Sequence, residues 1–378
     1  MKKLLIKTYF MILSCILALS TITSCAGNGF EIMDFLSDTE TAPYEFVTLK
    51  KEEGKDFVIL NLSDTQMTDA EWNDGEMSRE ILEYTIDELI KKTQPDLITI
   101  SGDVAWSTEM LSYEKLADLL ESYGIPWSVV WGNHDNESGL DRVDEIEELY
   151  LGYENCIYFE GAPELGSGNF VIQIEEKGKP VTGEIMMDTH DHDWYILGEG
   201  ERVSGYSKWY DEQKLWYIDT VKYMESCGYK DSMIIQHIPI YAYKYAFNEA
   251  FKADIDPSSI TWEQSYEDEY WNEGYKDSYG VRYESGGFPP VEDGVLDLLI
   301  KQNHTKYMIS GHDHVNNFVI NYKGIKLVYA LKTGMGCYWE QSLNGGTVIK
   351  INSEGIYDLH HEYVNVDHIV EAHSSNEE

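Results

Sequence analysis

The chain has 378 residues, 43% hydrophobic and 13% aromatic, which is enough to bury a sizeable core and excludes a disordered chain. Its 68 acidic residues against 28 Lys and Arg give a formal charge of −40, which excludes a large nucleic-acid footprint but not a small anionic ligand. Cys156, Cys227 and Cys337 are widely spaced without a Cys-x-x-Cys pair, so they form neither a disulfide framework nor a zinc knuckle.

The first predicted element is not part of the core. Residues 1–25 comprise a basic start, "MKKLLIK", an apolar stretch too short to span a bilayer comfortably, "YFMILSCILALS", and then "ITSC". This resembles a bacterial lipoprotein signal, in which Cys25 becomes the lipid-bearing first residue; a plain secretory signal and a retained anchor helix are the alternatives. The expected location is extracytoplasmic, anchored to a bacterial membrane through lipid on Cys25. Residues 26–55 read as a polar tether.

From Phe57 the chain alternates β-type runs with helical patterns: "FVILNLSD", "MSREILEYTIDELIKK", "DLITISGD", "YEKLADLLESYG", "PWSVVWGNHD" and "LDRVDEIEELYL". This β-α-β-α-β-α order implies parallel strands with crossover helices, and each strand ends in a polar cluster. In such sheets ligands gather outside the carboxyl ends of the strands. Asp64 follows the first strand, Asp103 the second, and Asn133, His134 and Asp135 the third.

Further β-type runs follow at "NFVIQIEE" and "TGEIMMDTH", then an amphipathic "WYDEQKLWYIDTVKYMES". "SMIIQHIPI" places His237 after an apolar run, and "KYMISGHDHV" does the same for His312 and His314. "IKLVYALKTG" and "GGTVIKIN" read as antiparallel strands. His190 and His192, in "THDHDWY", read as polar residues ending a strand, with substrate contact at the mouth of a site as the alternative. Residues 241–290 are rich in Tyr, Trp and acid and too long for an ordinary connection, which predicts either a lid or a surface excursion held by aromatic staples. Residues 56–365 form the expected domain and 366–378 a polar tail.

Oxygen donors on Asp64, Asp103 and Asn133, together with the imidazoles of His237, His312 and His314, suit first-row divalent metals. The ordered set "SDTQ", "SGDVAW", "WGNHDN", "IIQHIP" and "SGHDHV" resembles the calcineurin-like metallophosphoesterase superfamily from about Phe57 to Ile351. The resemblance implies a four-layer α/β/β/α sandwich with mixed sheets and two divalent ions of manganese, iron or zinc. Carried onto matching positions, Asp64, Asp103 and His314 hold one ion with Gln66 at the edge, and Asp103, Asn133, His237 and His312 hold the other. A hydroxide shared by the ions would attack a small phosphorylated substrate, monoester or diester. His134 would be the general acid, with Asp135 accepting from its other ring nitrogen; a turn-capping role for Asp135 is the alternative.

Two positions depart from the family pattern. Gln66 stands where a His is usual, which weakens the first metal site. Trp106 stands where purple acid phosphatases carry a Tyr ligand, so no purple charge-transfer colour is expected, and the chain looks most like the purple-acid-phosphatase-like branch lacking that Tyr. The competing reading is a surface lipoprotein that binds metal or ligand through the aromatic insertion without turnover.

Overall fold

The computed structural model describes residues 45–107, 110–137 and 142–375. The expected signal segment, its Cys25 and most of the expected tether lie outside the described residues.

The strands are, in chain order, β1 (Phe46–Lys51), β2 (Phe57–Leu62), β3 (Leu97–Ser101), β4 (Trp127–Val130), β5 (Phe170–Glu176), β6 (Lys179–Met187) and β7 (His192–Ile196). They continue with β8 (Arg202–Tyr206), β9 (Ser232–Gln236), β10 (Thr305–Ser310), β11 (Val319–Tyr322), β12 (Ile325–Tyr329), β13 (Gly345–Asn352) and β14 (Gly355–Tyr363). Helices α1 (Asp69–Asn73), α2 (Glu76–Thr93), α3 (Leu111–Ser122), α4 (Asn133–Asn136) and α5 (Arg142–Tyr150) belong to the first half. The second half carries α6 (Asp211–Cys227), α7 (Ala242–Ala250), α8 (Val295–Gln302) and α9 (Asp367–Ser374).

A five-stranded sheet in the order β14-β13-β2-β3-β4 and a seven-stranded sheet in the order β1-β5-β6-β9-β10-β12-β11 form the scaffold, and β7 with β8 makes a separate hairpin. Both large sheets are mixed: β2, β3 and β4 are parallel, as are β6, β9, β10 and β12, with antiparallel partners toward the edges. Every residue of β3 and of β9 is buried, as expected of parallel strands covered on both faces. One continuous core joins Ile59, Ile98 and Val129 of the first sheet to Met186, Ile235 and Ile309 of the second.

Helix α2 presents Ile81, Leu82, Ile86 and Leu89 as a buried stripe, the pattern of a helix lying on a sheet. It sits so close to β13 that a Cβ on Gly346 would press on both Leu60 and Leu89. On the second sheet Met224 of α6 occupies the space that a side chain on Gly183 would need.

Three details differ from the sequence reading. Phe46–Lys51, inside the span read as tether, pairs in parallel with β5. Asp367–Ser374, inside the span read as a polar tail, is a helix with Ile369 buried. β12 is antiparallel to β11, as read, but runs parallel to β10 on its other side, while β13 is antiparallel to β2 as read. Among the described residues no helix is long and apolar enough to cross a membrane, and Cys156, Cys227 and Cys337 are free.

The fold brings five strand ends together. Asp64 follows β2, Asp103 follows β3 and Asn133 follows β4, all from the five-stranded sheet, whereas His237 follows β9 and His312 with His314 follows β10, from the seven-stranded one. One sheet supplies the oxygen donors and the other the imidazoles.

Candidate metal centre

Two groups of donors converge in the structure: Asp64, Asp103 and His314, and Asp103, His237 and His312, with ligand atoms within 4.8 Å of one another in each group. Asp103 is common to both. Asn133 joins the second group through Oδ1, 3.2 Å from His237 Nε2.

The backbone is bent to achieve this. Asp64, Gln66, Asp103 and His312 have φ of 51°, 42°, 49° and 82°, the left-handed region that non-glycine residues rarely occupy and that gathers at functional sites. The glycine before Asn133 is required for a different reason, because a Cβ on Gly132 would collide with the Asp103 carboxylate.

Hydrogen bonding fixes which ring nitrogens face inward. His237 Nδ1 lies 2.9 Å from the Ser101 carbonyl oxygen, which can only accept, so Nδ1 carries a proton. In the neutral ring Nε2 is then a lone pair directed at Asp103 Oδ1, at Asn133 Oδ1 and at His312 Nδ1, each 3.2 Å away. His314 repeats the arrangement, with Nδ1 donating to the Tyr338 carbonyl at 2.8 Å and Nε2 3.6 Å from Asp64 Oδ1. Facing electron pairs in a buried site are relieved by a proton on His237 Nε2 or by a metal ion between them, and a backbone carbonyl orienting the far nitrogen is how metal-binding histidines are set.

Gln66 adds a related observation. Its Nε2 donates to Asp103 Oδ2 at 2.5 Å, while the buried Oε1 has no partner. The residues therefore fit divalent ions, with Asp103 shared between them.

Without metal, electrostatics stays finely balanced. Burial opposes ionisation of Asp64, but the His314 hydrogen bond and the charges of His237, His314 and Lys332 hold its carboxyl well below the usual range. Asp103 is also lowered, burial again being outweighed, here chiefly by His237. Burial disfavours charge on His237, yet Asp103 and Asp64 raise it to about 9. Burial, reinforced by the His237 charge, pushes His312 down to about 3.

His134 stands at the rim rather than among the ligands. Its backbone N donates to Asp103 Oδ1 at 2.9 Å, its Nε2 lies 3.9 Å from Asp103 Oδ2, and the Trp106 ring packs on it at 4.6 Å between centroids. Its Nδ1 faces Glu137 Oε2 at 2.5 Å, outside the angular range of a hydrogen bond. The expected contact with Asp135 is absent. Asp135 is fully buried and accepts from the backbone amides of Gly132 at 2.7 Å and of Val104 and Ala105 at 3.2 Å each, and from Tyr113 Oη at 3.2 Å. Burial and the neighbouring Asp103 charge raise it to about 7. It ties the ligand loops after β3 and β4 together, which is the capping alternative in extended form.

Sequence reasoning missed three contributors. Glu137 faces His134 and accepts from Asn133 Nδ2 at 3.1 Å. Lys332 is buried, donates to the Asp64 carbonyl at 2.5 Å, and is lowered by burial to about 8. Ser63 donates to Asp64 Oδ2 at 2.5 Å. Glu137 could have been found from its spacing of three and four residues after His134 and Asn133, which makes it their neighbour on a helical turn.

His190 and His192 lie outside both donor groups. His190 stacks on Tyr210 at 4.1 Å with Nε2 3.2 Å from Gln213 Oε1, and His192 is exposed on the β7–β8 hairpin. The aromatic staples of residues 241–290 are present, with Trp271 buried and Trp262 stacked on Tyr363 at 3.7 Å.

Comparison with known proteins agrees with this geometry. The calcineurin-like phosphoesterase profile matches residues 57–316. "Probable inactive purple acid phosphatase 14" of Arabidopsis thaliana is 28% identical over 277 residues, covering 66% of this chain and 61% of that protein. "Phosphatase DCR2" of Saccharomyces cerevisiae is 24% identical over 258 residues, covering 63% of this chain and 39% of that protein. The chain thus spans less than two thirds of the length of these relatives. The crystal structure of the calcineurin-like phosphoesterase YfkN from Bacillus subtilis superposes with a TM-score of 0.41 at 13% identity, covering 85% of this chain and 96% of that one. With the profile spanning all seven candidate ligands, the chain belongs to the calcineurin-like phosphoesterase family.

Proposed function

We propose that this chain is a hydrolase of small phosphate esters that works with two divalent metal ions. The observation that carries the reading is the inward aim of His237 Nε2 and His314 Nε2 at carboxylate and amide oxygens, with Asp103 facing both groups. When bound, two such ions supply a water of lowered pKa and neutralise the phosphoryl oxygens.

The chain's own residues do the rest. Asp64, Asp103, Asn133, His237, His312 and His314, with Gln66 at the edge, hold the ions. Asp135 and Lys332 brace the loops that carry these side chains. His134 directs Nε2 over the shared carboxylate and donates a proton to the departing ester oxygen. Glu137, beside its Nδ1, orients the ring and stabilises its charge. Trp106, Tyr206 and Tyr338 pack against His134, His312 and His314 and give the mouth an aromatic rim.

A second reading keeps the metals without turnover, and the word "inactive" in the name of the plant relative favours it. The His134 ring at the rim speaks against it, because it lies outside both donor groups and metal retention does not need it. Phosphate release from alkyl and aryl esters, measured with manganese and with chelator, separates the two. We further propose, from the basic start, short apolar run and "ITSC" of residues 1–25, that Cys25 is lipidated and anchors an exported protein to a bacterial membrane. An intact residue 1–25 segment on the exported protein, found by mass spectrometry, would rule this out.

A further inference from the structure

The insertion that follows His237 builds a cavity of about 530 Å³ whose wall includes Lys244, Asn248, Arg282, Tyr283, Glu284 and Phe288. Lys244 and Asn248 lie one helical turn apart on α7 and present one face to it. Arg282 is fixed between them and the core: its Nη1 donates to Asn248 Oδ1 at 3.1 Å and its guanidinium packs 4.3 Å above the Phe247 ring. The bond to Asn248 engages one donor of a fork of five. Among the described residues neither Arg282 nor Lys244 forms an ion pair with a carboxylate. Lys244 donates to Tyr241 Oη at 3.3 Å, and the wall also carries Asp256 and Glu284, so two cations and two carboxylates balance one another here in a chain with formal charge −40.

The carboxylates of this wall are already engaged. Glu284 accepts from Val315 N at 3.1 Å and from Tyr338 Oη at 2.8 Å, and Asp256 Oδ1 accepts from Ser258 N at 3.0 Å and Ser258 Oγ at 2.8 Å.

The same wall reaches the metal centre. Residues 282–287 run alongside the segment that carries His312 and His314: Arg282 bridges to Asn316, Tyr283 N donates to Val315 O at 3.2 Å, and Gly287 N donates to Asp313 Oδ1 at 3.0 Å. A Cβ on Gly287 would strike His312 Nε2. Five residues of extended chain cover at most ~17 Å, which bounds the backbone separation of Arg282 from Gly287 beside His312.

We propose that Lys244 and Arg282 form a subsite for a second anionic group, phosphate or carboxylate, at the far end of the phosphate ester cleaved at the metal centre. The proposal rests on the phosphoesterase reading and narrows its substrates to elongated esters charged at both ends. Tyr283 and Phe288 line the cavity with aromatic surface, against which an organic spacer packs.

The test uses the full chain loaded with manganese and two ligands that cannot be hydrolysed, octylphosphonate and the octane bisphosphonate with a phosphonate at each end, titrated calorimetrically. Chelator-sensitive binding of octylphosphonate reports the metal centre alone. The bisphosphonate should bind at least about tenfold more tightly, since a charge-assisted hydrogen bond contributes on the order of one such factor. Arg282→Met and Lys244→Met should each bring the ratio of the two affinities toward one, with Arg282→Lys recovering part of it. A ratio already near one in the unmodified protein, or one that survives both substitutions, overturns the subsite and leaves the metal-centre reading standing. Failure of both ligands to bind the loaded protein overturns both. Because Lys244 lies on an exposed helix face, its variant still decides the question if Arg282→Met does not fold.

Discussion

Glu137 Oε2 lies 2.5 Å from His134 Nδ1, and the other oxygen of the same carboxylate accepts from Asn133, so one acid touches both the rim histidine and a candidate ligand. Replacing Glu137 by Gln should slow hydrolysis of alkyl phosphates by about tenfold to a hundredfold, because general acid catalysis contributes about 10²- to 10⁴-fold and only part of it depends on orientation. Aryl esters with good leaving groups should be affected much less. Steady-state rates on an alkyl and a p-nitrophenyl ester, with metal content measured in parallel, check this; equal slowing of both would assign Glu137 to the metal site instead.

For Asp135 the expectation is the reverse. Its oxygens take three backbone amides and a tyrosine hydroxyl, so Asp135→Ala strands buried donors and should cost several kcal/mol, each unsatisfied group contributing about 1–3 kcal/mol. Denaturant unfolding of the metal-free protein reads this directly. A variant of normal stability that has lost only the alkyl-ester rate would restore Asp135 as the partner of His134.

At Gln66 the buried Oε1 has no partner, and an imidazole offers a better donor to first-row metals. Gln66→His should bind manganese or zinc more tightly, and Gln66→Leu more weakly. Competition with a chromophoric chelator gives both constants. Identical affinities in all three proteins would remove Gln66 from the ligand set.

Glu184 offers a test of the fold that is independent of the site. It is fully buried on β6, and burial, outweighing the opposing effect of Thr99 beside it, raises its carboxyl to about 8. Between the model-peptide value of 4.5 and that raised value the unfolded chain is ionised at this position and the folded chain is not. The contribution is therefore fully present below the lower value and is lost as pH rises to about 8. Glu184→Gln should remove that loss, stabilising the protein by a few kcal/mol near pH 8 and by little well below pH 4.5, where this carboxyl is largely protonated in the folded and the unfolded chain alike, since each pKa unit is about 1.4 kcal/mol. Melting curves of both proteins across this range suffice, and a pH-independent difference would contradict the cause given.

What was legible in the sequence follows from where the chemistry sits. Asp64, Asp103, Asn133, His237, His312 and His314 each stand one to four residues beyond an apolar strand, so a strand-end reading finds all of them and the structure brings them together. Asp135 was assigned to His134 because the two are adjacent, but on a helical turn adjacent side chains point about 100° apart, whereas the third residue along returns to the same face. Lys332 was invisible because a Lys after a strand reads as solvated; only burial against Asp64 distinguishes it. β1 was missed because its partner β5 lies more than a hundred residues away and "FVTLKK" carries little apolar periodicity of its own.

The shared position of Asp103 is tested most directly by loading the full chain and Asp103→Asn with manganese, then measuring bound metal and phosphate release on the same samples. Metal-dependent hydrolysis through two ions that share Asp103 requires two equivalents of metal and chelator-sensitive release in the unmodified chain, with both metal and rate falling together in the variant. Full metal occupancy in Asp103→Asn would contradict the shared ligand, and an unmodified chain that holds two equivalents yet releases no phosphate from any alkyl or aryl ester would contradict the phosphoesterase activity itself.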